Sequence, residues 1–190
     1  GGRKSAGSPG GTRKLIMENQ FRFKILEELR LQCRFAGQAF SEMTGNLQLN
    51  DTEKVFFYAH AFVRHAVDIG KLLWPEAEEA AERGKALREA CCASDEAPKE
   101  FLAFRELADS FDEKLLSWYG SEEHRNAQQM NLMPIGTLGG FPAEDFHRSL
   151  DPDTLQFAFE GVSGNLRQMN DDLQKIDASA QKWLRKNNPW

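Results

Sequence analysis

The chain is poor in cysteine, with Cys33, Cys91 and Cys92 as the only three among 190 residues and no Cys-x-x-Cys pair. An odd number of cysteines, two of them adjacent, does not make a disulfide framework, and no Cys/His spacing is typical of a zinc site. We therefore expect a reduced protein of the cytoplasm, and the sequence implies neither a metal nor another cofactor.

Long apolar runs are also missing. No stretch approaches the roughly 20 apolar residues that span a bilayer, and no charged start followed by an apolar segment and a cleavage site indicates secretion. The sequence therefore predicts no contact with membranes.

Basic side chains are fewer than acidic ones, with 24 Lys and Arg against 29 Asp and Glu and a net charge of −5. Such a balance argues against nonspecific DNA binding, which needs clustered Lys and Arg. Residues 1–16 carry four basic and no acidic side chains, together with five glycines, so the remainder carries −9. This segment is predicted to be a flexible tail or a cloning remnant, with Met17 as a plausible native start; a functional basic arm is the alternative.

Apolar residues at spacings of three and four predict five helices in a single domain over residues 17–190. They are expected at about 18–43, 50–74, 76–92, 98–119 and 163–186. Asn50 and Glu53 have capping-box spacing at the start of the second helix. Gly45-Asn46 is expected to end the first.

The segment 120–162 is irregular and rich in glycine and proline. Within it, Leu155, Phe157 and Phe159 alternate with smaller or polar residues, as in a short strand, and Met130 and Leu132 are candidates for its partner. The predicted fold class is therefore all-α: an antiparallel bundle of four to five helices with a small β-hairpin inserted before the last helix.

The segment Phe101–Trp118, FLAFRELADSFDEKLLSW, follows an aromatic-rich helix and an Ala/Glu-rich helix. It resembles the motif helix of the HEPN superfamily, all-α proteins that often act as RNA-cutting toxins. Arg105 matches the motif arginine of that family, Glu106 stands where a polar residue is usual, and Ser110 replaces the motif histidine.

The replacement of histidine bears directly on chemistry. Attack of a 2′-hydroxyl on the adjacent phosphate needs a group that titrates near neutrality, and serine alone does not. The resemblance thus implies a dimer without a complete nuclease motif, with a role in bacterial defence or stress, that binds a partner protein, a nucleotide or RNA. Arg105, Asp109 and Ser110 would line its groove, and His60 and Arg64 would flank it.

Plainer interpretations stand beside this one. Arg105 also fits a surface arginine paired with Asp109 four residues on. His60, Arg64 and Asp68 share a helix face that can equally be a solvated surface or a buried network.

The irregular segment offers two further clusters, His124-Arg125 and His147-Arg148. Histidine and arginine on irregular backbone can bind an anion, so an enzyme site built from these four residues is an alternative to a plain loop. A third hypothesis is a protein-interaction domain that uses the segment as a docking arm.

A homodimer is predicted from the second helix. Phe56 and Phe57 beside Val55 make this helix apolar on more than one face, which a subunit interface would bury.

Overall fold

The computed structural model describes residues 9–134, 145–188 and 190, with side chains from residue 18 onward. In this part of the chain the fold is mainly helical, as predicted, with a four-stranded sheet before the last helix where a hairpin was expected. The helices are α1 (Pro9–Gln48), α2 (Thr52–Leu73), α3 (Ala81–Cys91), α4 (Lys99–Asp109), α5 (Phe111–Gly120) and α6 (Leu166–Lys186), with a 3₁₀ turn at Glu78–Ala80. The strands are β1 (Gln128–Asn131), β2 (Phe146–Leu150), β3 (Gln156–Phe159) and β4 (Val162–Asn165).

The first two helices form a helical hairpin whose bounds differ from the prediction. α1 begins at Pro9, inside the segment predicted as a tail; residues 1–8 lie outside the described part. It also continues past Gly45 to Gln48, and the Asn46 side chain donates to the Glu42 carbonyl oxygen at 2.8 Å. The cap of α2 is Asp51, whose carboxylate accepts from the Lys54 amide at 3.2 Å, whereas Asn50 takes a φ of 54° in the turn.

The predicted helix over 98–119 is two helices. Ser110, with φ −127° and ψ 40°, ends α4 and precedes α5. Its amide still donates to the Glu106 carbonyl oxygen at 3.2 Å and its carbonyl accepts from the Lys114 amide at 2.9 Å. The break redirects the apolar stripe: Phe104 is 2% exposed on α4, but Phe111 is 54% exposed at the start of α5.

The sheet has the order β1-β2-β3-β4, with β1 parallel to β2 and the other pairs antiparallel. The strand that contains Met130 therefore pairs with β2, and not with the Phe157 strand as expected. Phe157 lies between Leu150 of β2 and Gly164 of β4. Strand β4 also takes Ser163, so the last helix begins later than predicted.

Helix α4 packs closely against this sheet. A Cβ atom at Gly164 would lie 2.8 Å from Cε2 of Phe104, closer than real side chains approach. The rings of Phe104 and Phe157 stack with centroids 6.0 Å apart. On the other side of the molecule, Arg30 of α1 and Asp177 of α6 form an ion pair at 2.8 Å. The sheet, α2 and α4 thus enclose one corner of the domain, where the candidate site lies.

Candidate functional site

A cavity of about 390 Å³ lies between α2, α4, the start of α5 and the sheet. Three polar side chains line it: His60 and Arg64 from α2 and Arg148 from β2. The rest of the wall is apolar, and its largest members are the rings of Phe104, Phe111, Phe157 and Phe159.

The spacing of residues along helix α2 and the alternation of side chains along the strands bring His60, Arg64 and Arg148 together. His60 and Arg64 are four residues apart on α2 and therefore share a face of the helix. Arg148 is paired with Phe159 across β2 and β3. Paired residues point to the same face of a sheet, as do residues two apart, so Arg148, Phe159 and Phe157 face the same way.

His60 is held in an aromatic environment. Its ring meets the rings of Phe157 and Phe159 edge to face, with centroids 5.4 Å and 4.7 Å apart. Burial, together with smaller effects of the neighbouring Arg148 and His147, lowers the pKa of His60 to about 4. The imidazole is therefore uncharged at neutral pH, and its Nε2 has no hydrogen-bond partner among the described residues.

The two guanidinium groups differ in their surroundings. The Arg64 side chain is 59% exposed, with its Nε 3.6 Å from Oδ2 of Asp68. Arg148 is half-buried, and its Cζ lies 5.0 Å from the centroid of the Phe159 ring. No carboxylate stands among the described residues that line the cavity. The charged side chains in the described lining of this cavity are therefore both basic.

A second cavity, of about 680 Å³, shares His60, Arg64 and Arg148 with the first. It extends toward the start of α2, where Phe57 is 65% exposed, and reaches Met130 of β1. Because the first cavity extends the other way along α2, to Val67, the guanidinium groups lie between the two cavities; the lining of the second also includes the carboxylate of Glu53.

Arg105, Asp109 and Ser110 do not line either cavity in the described structure. The Arg105 guanidinium donates to the Trp74 carbonyl oxygen at 2.8 Å and forms an ion pair with Glu76 at 2.9 Å. These two contacts stabilise the turn after α2. Asp109 pairs with Lys71 at 2.6 Å, and not with Arg105. Ser110 is the break between α4 and α5.

The four residues predicted in the irregular segment do not form one site in the structure, although His147 and Arg148 contact each other. Arg148 enters the cavity, whereas His147 is buried and bonded to Glu160. His124 stacks on Trp118 with centroids 3.5 Å apart and bonds to Ser121 through Nδ1 at 2.7 Å. Arg125 is exposed. The site therefore combines His60 and Arg64 of α2 with Arg148 of the irregular segment. In the sequence analysis these residues belonged to two alternative sites.

Sequence reasoning missed two components of this region. It assigned the phenylalanine stripes to the core or an interface, whereas Phe104, Phe157 and Phe159 are both core and cavity wall. It also passed over Glu160, because a glutamate before a glycine reads as part of an ordinary turn. Nothing local in the sequence signals its bond to His147.

Another cavity, of about 550 Å³, lies between α1 and α3. Its charged lining is balanced, with three basic and three acidic side chains. It attracts an anion less than the α2 cavity does. No group of three or more potential metal ligands occurs among the described residues.

Comparison with known proteins adds no precedent: no protein-family model matches the chain, and no curated protein or solved structure does either. None of the helices in the described ranges combines the length and apolar character needed to cross a bilayer. Function is therefore inferred from the geometry of the cavity.

Proposed function

We propose that the chain is a binding module whose α2 cavity takes a nucleotide, or one nucleotide unit of single-stranded RNA. The observation that carries this proposal is the meeting of Arg64, Arg148 and an uncharged His60 with aromatic rings in one cavity. Guanidinium groups match phosphate oxygens in geometry and charge, and an exposed aromatic side chain receives a base by stacking. Among the four rings in the wall, Phe111 is 54% exposed, whereas the other three are buried.

The size and charge of the cavity agree with this class of ligand. A volume of about 390 Å³ falls within the usual range for small-molecule sites. Two arginines without an acid in the lining favour an anion. The imidazole of His60 is uncharged, so the charge of the lining comes from the two arginines.

The same geometry favours binding over cleavage. A general acid or base is most effective when its pKa lies near the working pH. Burial places the pKa of His60 at about 4, so this imidazole is poorly matched to proton transfer at neutrality. The relationship to HEPN proteins remains a prediction, and the proposed function does not depend on Arg105 or Ser110.

Isothermal titration calorimetry with adenosine monophosphate (AMP) and adenosine tests the proposal. We expect AMP to bind more tightly than adenosine, and added salt to weaken AMP binding because it screens the arginines. The double variant Arg64→Gln/Arg148→Gln should lose AMP binding, whereas the matched variant Arg125→Gln/Arg167→Gln on exposed sites should retain it. Equal AMP affinity in the two double variants would contradict the proposal.

We also propose self-association as a second function. Phe56 is 2% exposed and packs inside the subunit, so only Phe57 of the predicted pair is available to an interface. Leu116 of α5 is 75% exposed and adds a second apolar side chain. Sedimentation velocity should show a dimer that Leu116→Asp dissociates; a native monomer at high concentration would rule this function out.

A further inference from the structure

Arg148 is held by a buried chain of hydrogen bonds behind the cavity. Its Nη2 lies 3.2 Å from Nδ1 of His147, and Nε2 of His147 lies 2.8 Å from Oε1 of Glu160. The side chains of His147 and Glu160 are only 4% and 2% exposed. Neither partner therefore exchanges its bond for one to bulk water.

These contacts fix the position of the imidazole proton. A guanidinium has donors and no acceptor, so Nδ1 of His147 must accept from Arg148 and carries no proton. The remaining nitrogen, Nε2, then bears the hydrogen and donates to the Glu160 carboxylate. Burial lowers the pKa of His147, in agreement with a neutral ring.

The backbone keeps the pair in register. The Glu160 amide donates to the His147 carbonyl oxygen at 3.0 Å, at the end of the β2–β3 pairing. Glu160 itself has a φ of 49° and is followed by Gly161 with a φ of 79°. This tight turn directs the carboxylate back to the histidine that it accepts from.

We propose that Glu160 and His147 are positioning residues for Arg148: the carboxylate selects the Nε2–H tautomer of His147, and the unprotonated Nδ1 then accepts from the guanidinium and orients it toward the phosphate of the ligand. This inference rests on the proposed function. It follows the general pattern in which a carboxylate behind a histidine sets its tautomer and ring orientation.

If Glu160 acted only through its charge, its replacement would change the affinity for AMP in the opposite direction. If Glu160 acted only through its negative charge, replacing it by Gln would remove repulsion and raise the affinity for an anion. If Glu160 positions Arg148, the same change lowers the affinity. The Gln side chain can accept from Nε2–H or donate to Nε2, so it no longer selects one tautomer; wherever it donates, the histidine proton moves to Nδ1 and Arg148 loses this acceptor. The isosteric variant Glu160→Gln therefore distinguishes a charge effect of Glu160 from a positioning role.

The experiment combines nitrogen NMR of the histidine rings with AMP titration of the full chain. In the native protein without ligand we expect the Nε2–H tautomer of His147. In Glu160→Gln we expect a mixture of the Nε2–H and Nδ1–H tautomers and an AMP affinity lower by up to about tenfold, since the Nδ1–H form lacks one hydrogen bond to a charged group. The exposed variant Glu113→Gln should change neither.

Two substitutions at His147 provide a second test if Glu160→Gln folds poorly. In His147→Asn the amide oxygen can take the place of Nδ1 and still accept from Arg148, whereas the longer side chain of His147→Gln places its amide near Glu160 instead. We expect the Asn variant to bind AMP within about threefold of native and the Gln variant about tenfold more weakly. A merely structural role predicts that affinity follows the melting temperature in both.

The outcomes separate this inference from the function on which it rests. Absence of AMP binding by the native chain would overturn both. AMP binding by the native chain with unchanged or higher affinity in Glu160→Gln would overturn the positioning role alone, as would an Nδ1–H tautomer in the native protein.

Discussion

Replacement of Arg148 by Gln should weaken AMP binding far more than replacement of Arg64 by Gln. Both guanidinium groups line the cavity, but their environments differ. Arg148 is half-buried against Phe159 and fixed by His147. Arg64 is 59% exposed and lies near Asp68, which competes for it.

The expected magnitudes follow from that difference. A hydrogen bond to a charged group contributes about 1.5–3 kcal/mol, so the loss of the Arg148 guanidinium should lower AMP affinity by roughly 10- to 100-fold. An exposed ion pair contributes under about 1 kcal/mol. The loss of Arg64 should therefore cost less than about fivefold.

Calorimetric titration of both variants with AMP, at one salt concentration, measures the two effects. Arg167→Gln on the exposed face of α6 is the matched control and should bind as the native chain does. Thermal melts establish that each variant is folded. Equal losses in the Arg64 and Arg148 variants, or a loss as large in the control, would refute the reasoning.

Three further predictions follow from the same contacts. The pKa of His60 is about 4 in the folded protein and 6.5 for the free side chain. Between these two pH values the unfolded chain therefore binds more protons than the folded chain. The free energy of unfolding should decrease by up to about 3 kcal/mol as the pH falls from 6.5 to 4. Urea unfolding should show that the free energy of unfolding depends less on pH in His60→Phe than in the native chain. If the dependence is unchanged, other titrating groups cause it. Gly164→Ala should destabilise the fold by about 1–3 kcal/mol, because the new Cβ would meet Phe104 at 2.8 Å; a native melting temperature would show that the two elements separate readily. Phe111→Ala should weaken AMP binding severalfold, because the exposed ring in the cavity wall would stack the adenine; Phe21→Ala, at a ring 58% exposed on α1, is the control, and equal effects would refute the stacking role.

The helices were predictable because their apolar residues repeat at spacings of three and four. The periodicity did not reveal the break at Ser110, since neither glycine nor proline marks it and the apolar spacing continues through it. Strand β2 was missed because two of its three buried residues, His147 and Ser149, are polar, which hides the apolar alternation that identifies a half-buried strand.

The candidate site was predictable only in parts. The spacing of His60 and Arg64 placed both on one helix face, and histidine and arginine in the irregular segment pointed to Arg148. Their meeting depends on the β2–β3 register and on how α2 packs against the sheet. Both are set by contacts between distant parts of the chain, which no local pattern encodes.

The most direct test of the proposed site is to map backbone amide NMR shifts of the native chain during titration with AMP. We predict that the largest changes occur near His60, Arg64 and Arg148 and saturate together. Changes centred on Arg22 and Arg83, in the cavity between α1 and α3, or no saturable change at any amide, would contradict the account.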